Sequence, residues 1–226
     1  MINKLCGFPI SFRGAFEDKM ASIPELDEKY TTPEQRAKTV TILGSSKPAD
    51  GSLNAMDLCS KLTADLVRGG YNIQTGCGAN GIMGMAYNAA KENSTRDIET
   101  GKPKQNIAII MQPAWGDEDL DNCTPIGKAT SENERLTKFR KTSDTFVVFP
   151  GSATTIEETA LLIQQNEYSR KDTPLKKIIL VGNEFFSGLK QQYQKLFDSK
   201  LLKHSPDELF TVLDSEEEIL LEISEK

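Results

Sequence analysis

Two segments of this 226-residue sequence combine glycines with hydroxyl and charged side chains in a pattern that suits phosphate binding. The first is the run Gly76-Cys77-Gly78-Ala79-Asn80-Gly81, which follows a predicted strand and precedes a helix predicted to begin near Ile82. Glycines in such a turn let backbone N–H groups approach a phosphate at the positive end of a helix. We therefore predict that Gly76, Gly78 and Gly81 contact a phosphate or a nucleotide.

The same run formally matches the G-x-G-x-x-G pattern, so two other interpretations stay open: a purely structural turn and a nicotinamide dinucleotide site. A dinucleotide site needs an acidic residue about 20 positions further on, at the end of the next strand, to hold a ribose hydroxyl. In this chain that strand ends in Met111-Gln112, and the glycine run follows the second predicted strand rather than the first. Both observations disfavour a nicotinamide site.

The second segment lies at the carboxyl end of a predicted strand and reads Phe149-Pro150-Gly151-Ser152-Ala153-Thr154-Thr155-Ile156-Glu157-Glu158. Open parallel sheets bind ligands at this end of their strands. The hydroxyls of Ser152, Thr154 and Thr155, with the free N–H groups of the first helical turn, would form a phosphate cradle. The competing interpretation is an ordinary helix start, in which Thr154 and Glu157 form a capping box.

Two charged residues in or near these segments could take part in a reaction. Glu158 is not needed by the capping box and points about 100° away from Glu157 around the helix axis, although a first-turn glutamate is also favourable to the helix dipole. Arg135 lies at the start of the preceding helix, and its planar fork can donate two hydrogen bonds to an oxyanion. Most helical arginines face solvent, which is the alternative for Arg135. We expect the later basic residues of its helix to face solvent: Lys138, Arg140 and Lys141.

From Thr39 onward, β-branched or apolar runs alternate with helical patterns. Such alternation predicts a parallel sheet that is covered by helices on both faces. We therefore predict a single-domain α/β fold with a doubly wound, Rossmann-like parallel sheet. The predicted strands are Thr39 to Leu43, Tyr71 to Gln74, Asn106 to Met111, Thr145 to Phe149 and Lys177 to Val181.

Residues 1–38 are polar, contain three prolines and show no sustained period, so we predict an N-terminal extension that lies over the domain. Residues 39–226 are predicted to form the Rossmann-like nucleotide-binding domain. Within it, residues 112–130 have the composition of a long loop without regular structure, which is typical of a lid, a binding loop or a disordered segment. Capping boxes predict three helix starts: Ser131 with Glu134, Thr154 with Glu157, and Ser215 with Glu218.

The composition excludes some classes of function. The formal net charge of −6 disfavours broad nucleic-acid binding, which needs a basic face. No apolar run approaches the roughly 20 residues that span a bilayer, and no export signal is evident, so we expect no membrane partner. Cysteines 6, 59, 77 and 123 lack the close pairing of metal or redox sites, which predicts reduced thiols in the cytoplasm.

Taken together, these motifs resemble the LOG (Lonely Guy) family of phosphoribohydrolases, whose pattern is an E-R-K segment upstream of P-G-G-x-G-T-x-x-E. Glu134-Arg135 is similar to the start of the first segment, and residues 150–158 are similar to the second. Residues 76–84 resemble the family's G-G-G-x-x-G-x-M-G loop, and Gly44-Ser45-Ser46 resembles its G-S-S turn after the first strand. The resemblance covers roughly residues 39–200.

The resemblance implies a homodimeric enzyme that hydrolyses the N-glycosidic bond of a purine nucleoside 5′-monophosphate, either AMP or a cytokinin-like analogue. The products would be the free base and ribose 5-phosphate. Arg135 and Glu158 correspond to the family's catalytic pair. Phosphate and nucleotide contacts correspond to Gly44, Ser45, Ser46, Gly151, Thr155 and the glycine run. We expect no cofactor and no metal.

Two other functions stay open at this point. Leu136 stands where the family has lysine, Ser152 and Thr154 replace two glycines, and Cys77 replaces the middle glycine of the loop. The departures at Ser152 and Thr154 motivate a second hypothesis, a nucleotide-binding or regulatory protein without turnover. Family members have also carried the label lysine decarboxylase, a reaction that uses pyridoxal phosphate on a lysine, commonly beside a histidine. The single histidine, His204, follows the last matched helix, which disfavours that function, Ser-His triads and histidine-rich zinc sites.

Overall fold

The computed structural model describes residues 17–47, 53–114, 118–170 and 173–225 of the chain. The predictions made for residues 1–16, including Cys6, and for residues 115–117 of the predicted long loop lie outside the described residues. The described part contains a seven-stranded sheet in the spatial order β4-β3-β2-β1-β5-β6-β7. The strands are β1 (Thr39–Leu43), β2 (Asn72–Thr75), β3 (Asn106–Met111), β4 (Thr124–Ala129), β5 (Thr145–Val148), β6 (Lys177–Val181) and β7 (Thr211–Leu213).

All neighbouring strands of the sheet are parallel, and helices connect most of them. The helices are α1 (Pro33–Ala37), α2 (Leu53–Arg68), α3 (Gly81–Asn93), α4 (Glu132–Thr142), α5 (Ala153–Glu167), α6 (Asn183–Asp198), α7 (Pro206–Leu209) and α8 (Glu216–Ser224). From β1 the chain runs outward through β2, β3 and β4, and then returns to the other side of β1 with β5. The strand order therefore reverses between β1 and β5, and the predicted doubly wound α/β fold is confirmed.

The sheet is buried on both faces because its strands are almost continuously apolar. In and just after β5, Phe146 and Val148 belong to the core on one side of the sheet, whereas Val147 and Phe149 belong to the core on the other. Helices α2, α3 and α8 cover the second side, and α4, α5, α6 and α7 cover the first. Burial on both faces explains why β-branched runs, rather than alternating patterns, predicted these strands.

The predicted loop over residues 112–130 was wrong in its second half, where β4 pairs with β3. Pro125 and Gly127 interrupt the strand pattern, and the register shifts between Ala108 and Ile109 on the facing strand. A proline is tolerated in a strand at the edge of a sheet or at a bulge, because no ladder hydrogen bond is then lost. The short strand β7 was also missed, since three residues carry too little pattern.

Of the three predicted capping boxes, only one forms as predicted, at Ser215 and Glu218. At Ser131 the hydroxyl accepts a hydrogen bond from the Glu134 N–H, but the Glu134 carboxylate binds the N–H and hydroxyl of Thr130 instead. The box at Thr154 was wrong. Helix α5 begins earlier, at Ala153 with Ser152 as its N-cap, so Thr154 lies inside the first turn and cannot cap it.

Residues 17–38 lie against the domain through buried side chains at Met20, Ile23 and Tyr30. Leu26 forms an isolated antiparallel bridge with Gly127, at the outer edge of β4. The division of the chain at residue 38 stays a prediction. Among the described residues, no helix has both the length and the apolar character needed to cross a membrane.

Candidate functional site

Three loops meet at the carboxyl edge of the sheet, because β2, β1 and β5 are neighbours there. They are Gly44-Ser45-Ser46 after β1, residues 76–81 after β2, and residues 149–152 after β5. The Ile82 N–H donates to the Ser45 carbonyl at 2.8 Å, and the Ser45 N–H donates to the Pro150 carbonyl at 3.4 Å. This edge is the point where the strand order reverses, which is where open α/β sheets bind ligands.

Glycines are required where these loops approach each other. Gly81 has a φ of +61°, and a Cβ at this position would lie 2.3 Å from the Ser45 carbonyl oxygen. A Cβ on Gly44 would lie 2.8 Å from Ile82 Cγ2. The glycine run therefore has a structural role in closing the first two loops together. That role is compatible with the predicted phosphate contact.

The loop after β5 leads into α5, which is long enough to present several free N–H groups at its first turn. Thr155 is buried, and a Cβ on Gly151 would lie 2.2 Å from its hydroxyl oxygen, so only glycine fits there. Ser152 and Thr154 are exposed at the same helix start. Both side chains are therefore accessible from solvent at the start of α5.

Arg135 lies in the first turn of α4 and is only 4% exposed. Its Nη2 atom lies 2.8 Å from Glu132 Oε2 and 3.8 Å from Glu158 Oε1. A Cβ on Gly76 would lie 2.8 Å from Nη1, so the guanidinium rests directly on the end of β2. Arg135 thus connects the glycine run to the carboxylate of α5.

Glu158 faces this arginine from α5 and is 8% exposed. Burial raises the pKa of its carboxyl from 4.5 to about 7, because the charged form loses its hydration. Arg135 opposes the rise in pKa, whereas the negative charges of Glu132 and Glu157 add to it. A carboxyl with a pKa near 7 can accept and return a proton at neutral pH, as a general acid or base must.

The structure brings the predicted pair Arg135 and Glu158 together, with Gly76 beside them. It places the other predicted site residues on the three loops of the same sheet edge or in the first turn of α5: Gly44, Ser45, Ser46, Gly78, Gly81, Gly151, Ser152, Thr154 and Thr155. Their catalytic and binding roles stay predictions. Sequence reasoning missed Glu132, although its spacing of three residues from Arg135 on a helix is a signal for an ion pair.

The prediction that three basic residues of α4 face solvent was wrong for two of them. Lys138 is largely buried and pairs with Glu134 at 2.7 Å and with Glu25 at 3.3 Å. Arg140 is half-buried, and burial lowers the pKa of its guanidinium. Only Lys141 is exposed as expected. The N-terminal segment covers this side of α4, which a helical pattern cannot reveal.

Glu158 should give the protein a pH-dependent stability that a glutamine variant lacks. Since its folded-state pKa of about 7 lies above the ordinary 4.5, the folded chain retains a proton that the unfolded chain releases. The stability linked to this proton is complete below about pH 4.5 and is lost as pH rises through 7. We expect the free energy of unfolding of Glu158→Gln, measured by urea denaturation, to exceed that of the native chain by up to about 3 kcal/mol at pH 8. At pH 4.5 the two free energies should differ little. Parallel pH curves for the two proteins would contradict this expectation.

Among the described residues, no three His, Cys, Asp or Glu side chains gather as metal ligands. Fold and site together define a Rossmann-like α/β protein with an arginine and a glutamate buried beside glycine loops at the switch point. A family model described as "Possible lysine decarboxylase" matches residues 83–223. The chain therefore belongs to that family, which is the LOG family under its older description.

Solved structures share the fold. The molybdenum cofactor binding protein from the phototrophic bacterium Rippkaea orientalis aligns with a TM-score of 0.56 and 17% identity, over 81% of this chain and 93% of that one. The molybdenum cofactor carrier protein from Chlamydomonas reinhardtii aligns with a TM-score of 0.54 and 18% identity, over 83% and 98%. At these identities the similarity shows the fold alone. A comparison with curated protein sequences found no match.

Proposed function

We propose that the protein hydrolyses the N-glycosidic bond of a purine nucleoside 5′-monophosphate, AMP or an N6-substituted, cytokinin-like analogue. The observation that carries this proposal is the buried Glu158 carboxyl, which has a pKa of about 7 and lies 3.8 Å from the Arg135 guanidinium. Membership of the LOG family supports the same reaction class. The products would be the free purine and ribose 5-phosphate.

Binding of the phosphate would be the task of the loops at the sheet edge. The first turn of α5 offers free N–H groups and a positive dipole end, and the hydroxyls of Ser152 and Thr154 lie beside them. The phosphate is remote from the bond that breaks. Its binding energy would therefore serve to orient the ribose against Glu158.

Bond cleavage leaves positive charge on the ribose ring, and a carboxylate close to the anomeric carbon stabilises that charge. In its ionised form Glu158 would accept a proton from the attacking water, whose oxygen forms the new bond to the anomeric carbon. The electron pair of the broken bond leaves with the purine, which takes up a proton. Arg135 would orient the phosphate or the Glu158 carboxylate.

Lysine decarboxylation, the activity in the family's older description, does not suit this site. The single histidine, His204, lies with its Nδ1 atom 3.1 Å from Glu167, at the far end of α5 from Glu158. It therefore cannot stand beside a cofactor ring bound at the three loops. The Arg135 and Glu158 pair instead suits a sugar with a phosphate group.

The direct test is to incubate the protein with AMP, N6-substituted AMP, GMP and CMP and to measure free base and ribose 5-phosphate by chromatography. We expect base release from a purine monophosphate and little release from adenosine, which lacks the phosphate. No base from any nucleotide, although the nucleotides bind, would contradict the proposal.

That outcome would support a second candidate, a carrier of a phosphate-bearing heterocycle without turnover. Two observations favour it: Ser152 and Thr154 stand exposed at glycine positions of the family pattern, and the similar folds include proteins named for molybdenum cofactor binding. Calorimetry with nucleotides and with phosphorylated pterins would then show binding of the intact ligand.

A further inference from the structure

The Arg135 guanidinium lies between two carboxylates at unequal distances. Glu132 Oε2 is 2.8 Å from Nη2, which is the length of a charge-assisted hydrogen bond. Glu158 Oε1 is 3.8 Å from the same nitrogen, which is longer than a normal hydrogen bond. Glu132 is partly exposed, whereas Glu158 is buried. The closer ion pair is thus the one with the residue at the rim.

We propose that Glu132 is a positioning residue that holds the Arg135 guanidinium away from a close ion pair with Glu158. This inference rests on the proposed function, because it concerns the protonation of the catalytic carboxyl in the same site. The packing of Arg135 supports it: Gly76 lies against Nη1, and the Phe139 ring lies 5.8 Å from Cζ. The guanidinium is therefore held from three sides.

The consequence is electrostatic. The charged groups that act on Glu158 are Arg135 and Glu132 from α4 and Glu157 from its own helix. If Glu132 were neutral, Arg135 could approach Glu158 more closely, and a close ion pair would lower the pKa of the Glu158 carboxyl. The carboxyl would then remain ionised at neutral pH and could not return a proton. Glu132 prevents this close approach, because it forms its own ion pair with Arg135.

The test compares Glu132→Gln with Glu134→Gln, a matched loss of one charge in the same helical turn. Glu134 binds Lys138 and Thr130 and is absent from the charges that act on Glu158. We measure the pH profile of kcat and, separately, the titration of the Glu158 carboxyl by carbon-13 NMR, assigned with Glu158→Gln. In Glu132→Gln both should move to lower pH by about one pH unit, and in Glu134→Gln neither should move.

The two readouts separate this proposal from the proposed function. An unchanged Glu158 titration in Glu132→Gln would overturn the positioning role, whatever the activity. A shifted titration in a protein that releases no base would keep the positioning role and overturn the hydrolase. A shift of equal size in Glu134→Gln would also overturn the proposal, because it would show a general charge effect.

A second and independent observation concerns two buried thiols. Cys77 Sγ lies 2.6 Å from Cys123 Sγ, and both side chains are fully buried. Cys77 has a φ of +65°, a left-handed conformation that suits glycine and strains other residues. The contact joins the loop after β2 to the residue that precedes β4.

We infer that Cys77 and Cys123 form an oxidisable dithiol that links the glycine run to the start of β4. With hydrogen peroxide, the two thiols lose two protons and two electrons, an S–S bond forms, and the peroxide O–O bond is reduced to give two water molecules. The hydrogen bond to Cys123 and burial raise the pKa of the Cys77 thiol well above its ordinary value. Since the thiolate is the reactive form, the reaction should be slow in the folded protein.

Peptide mapping by mass spectrometry after peroxide treatment of the folded chain tests this inference. We expect a Cys77–Cys123 peptide that dithiothreitol reverses, which persists in Cys59→Ser and is lost in Cys123→Ser. Cys59 is the matched control because it is equally buried but its thiol donates to the Ile82 carbonyl rather than contacting a second thiol. Exhaustive oxidation that leaves both thiols free, or links either one to Cys59 instead, would overturn the inference.

Discussion

Replacement of Glu158 by glutamine is expected to reduce kcat for base release by about 1,000-fold. The amide has nearly the same shape, so the phosphate loops should still bind nucleotide, but it can neither accept a proton nor carry the negative charge that stabilises the ribose cation. We expect KM to change little. Steady-state assays with the best nucleotide, together with calorimetric binding, measure both quantities.

Glu157→Gln is the matched control, because the residue is next in sequence but exposed, and it lies about 100° away from Glu158 around the helix axis. Its kcat should stay within about threefold of the native value, since an exposed charge is largely screened. If Glu158→Gln retained full turnover, Glu158 would not be the catalytic carboxylate. The proposed mechanism would then be wrong even if the family assignment holds.

The combination of lower activity and higher stability would be informative. Glu158→Gln removes a carboxyl that is unfavourable to bury at alkaline pH, so the variant should be more stable and less active. Such a trade is typical of groups retained for chemistry rather than for folding. A variant that lost both activity and stability would instead indicate a structural role for the Arg135 and Glu158 contact.

Replacement of Gly81 by alanine should destabilise the fold by about 2–4 kcal/mol and reduce nucleotide affinity by more than tenfold. The new Cβ would lie 2.3 Å from the Ser45 carbonyl oxygen and 2.7 Å from the Lys47 N atom, and the φ of +61° adds backbone strain. The loops after β1 and β2 must therefore separate. Thermal denaturation and calorimetry measure the two effects.

Gly70→Ala provides the control for this variant. Gly70 also has a positive φ, of +88°, but a Cβ at this position would meet no atom within 4 Å beyond its own chain neighbours. The substitution should cost about 1 kcal/mol from backbone strain and leave nucleotide binding unchanged. Equal losses of affinity in both variants would mean that the loop contact at Gly81 has no part in binding.

The prediction of the core of the fold succeeded where the local pattern is strong. Strands β1, β3 and β6 were predicted at their observed bounds, because β-branched runs buried on both faces differ clearly from helical patterns. Strand β4 was not predicted, because Pro125 and Gly127 have low strand propensity. They lie in an edge strand with a register shift, where pairing with β3 outweighs that propensity. The capping box at Thr154 failed because a helix start depends on where the chain leaves the sheet.

The types of residue at the site could be read from spacing and turn chemistry, which are properties of neighbours along the chain. The α/β architecture, the glycine turns and the two charged residues Arg135 and Glu158 belong to this part. Only the tertiary structure shows that the pair approaches to 3.8 Å and that Glu132 lies beside Arg135. The same holds for the raised pKa of Glu158. These features arise from burial and from charges brought together by folding, since the energy of a carboxylate depends on its loss of water and on every nearby charge.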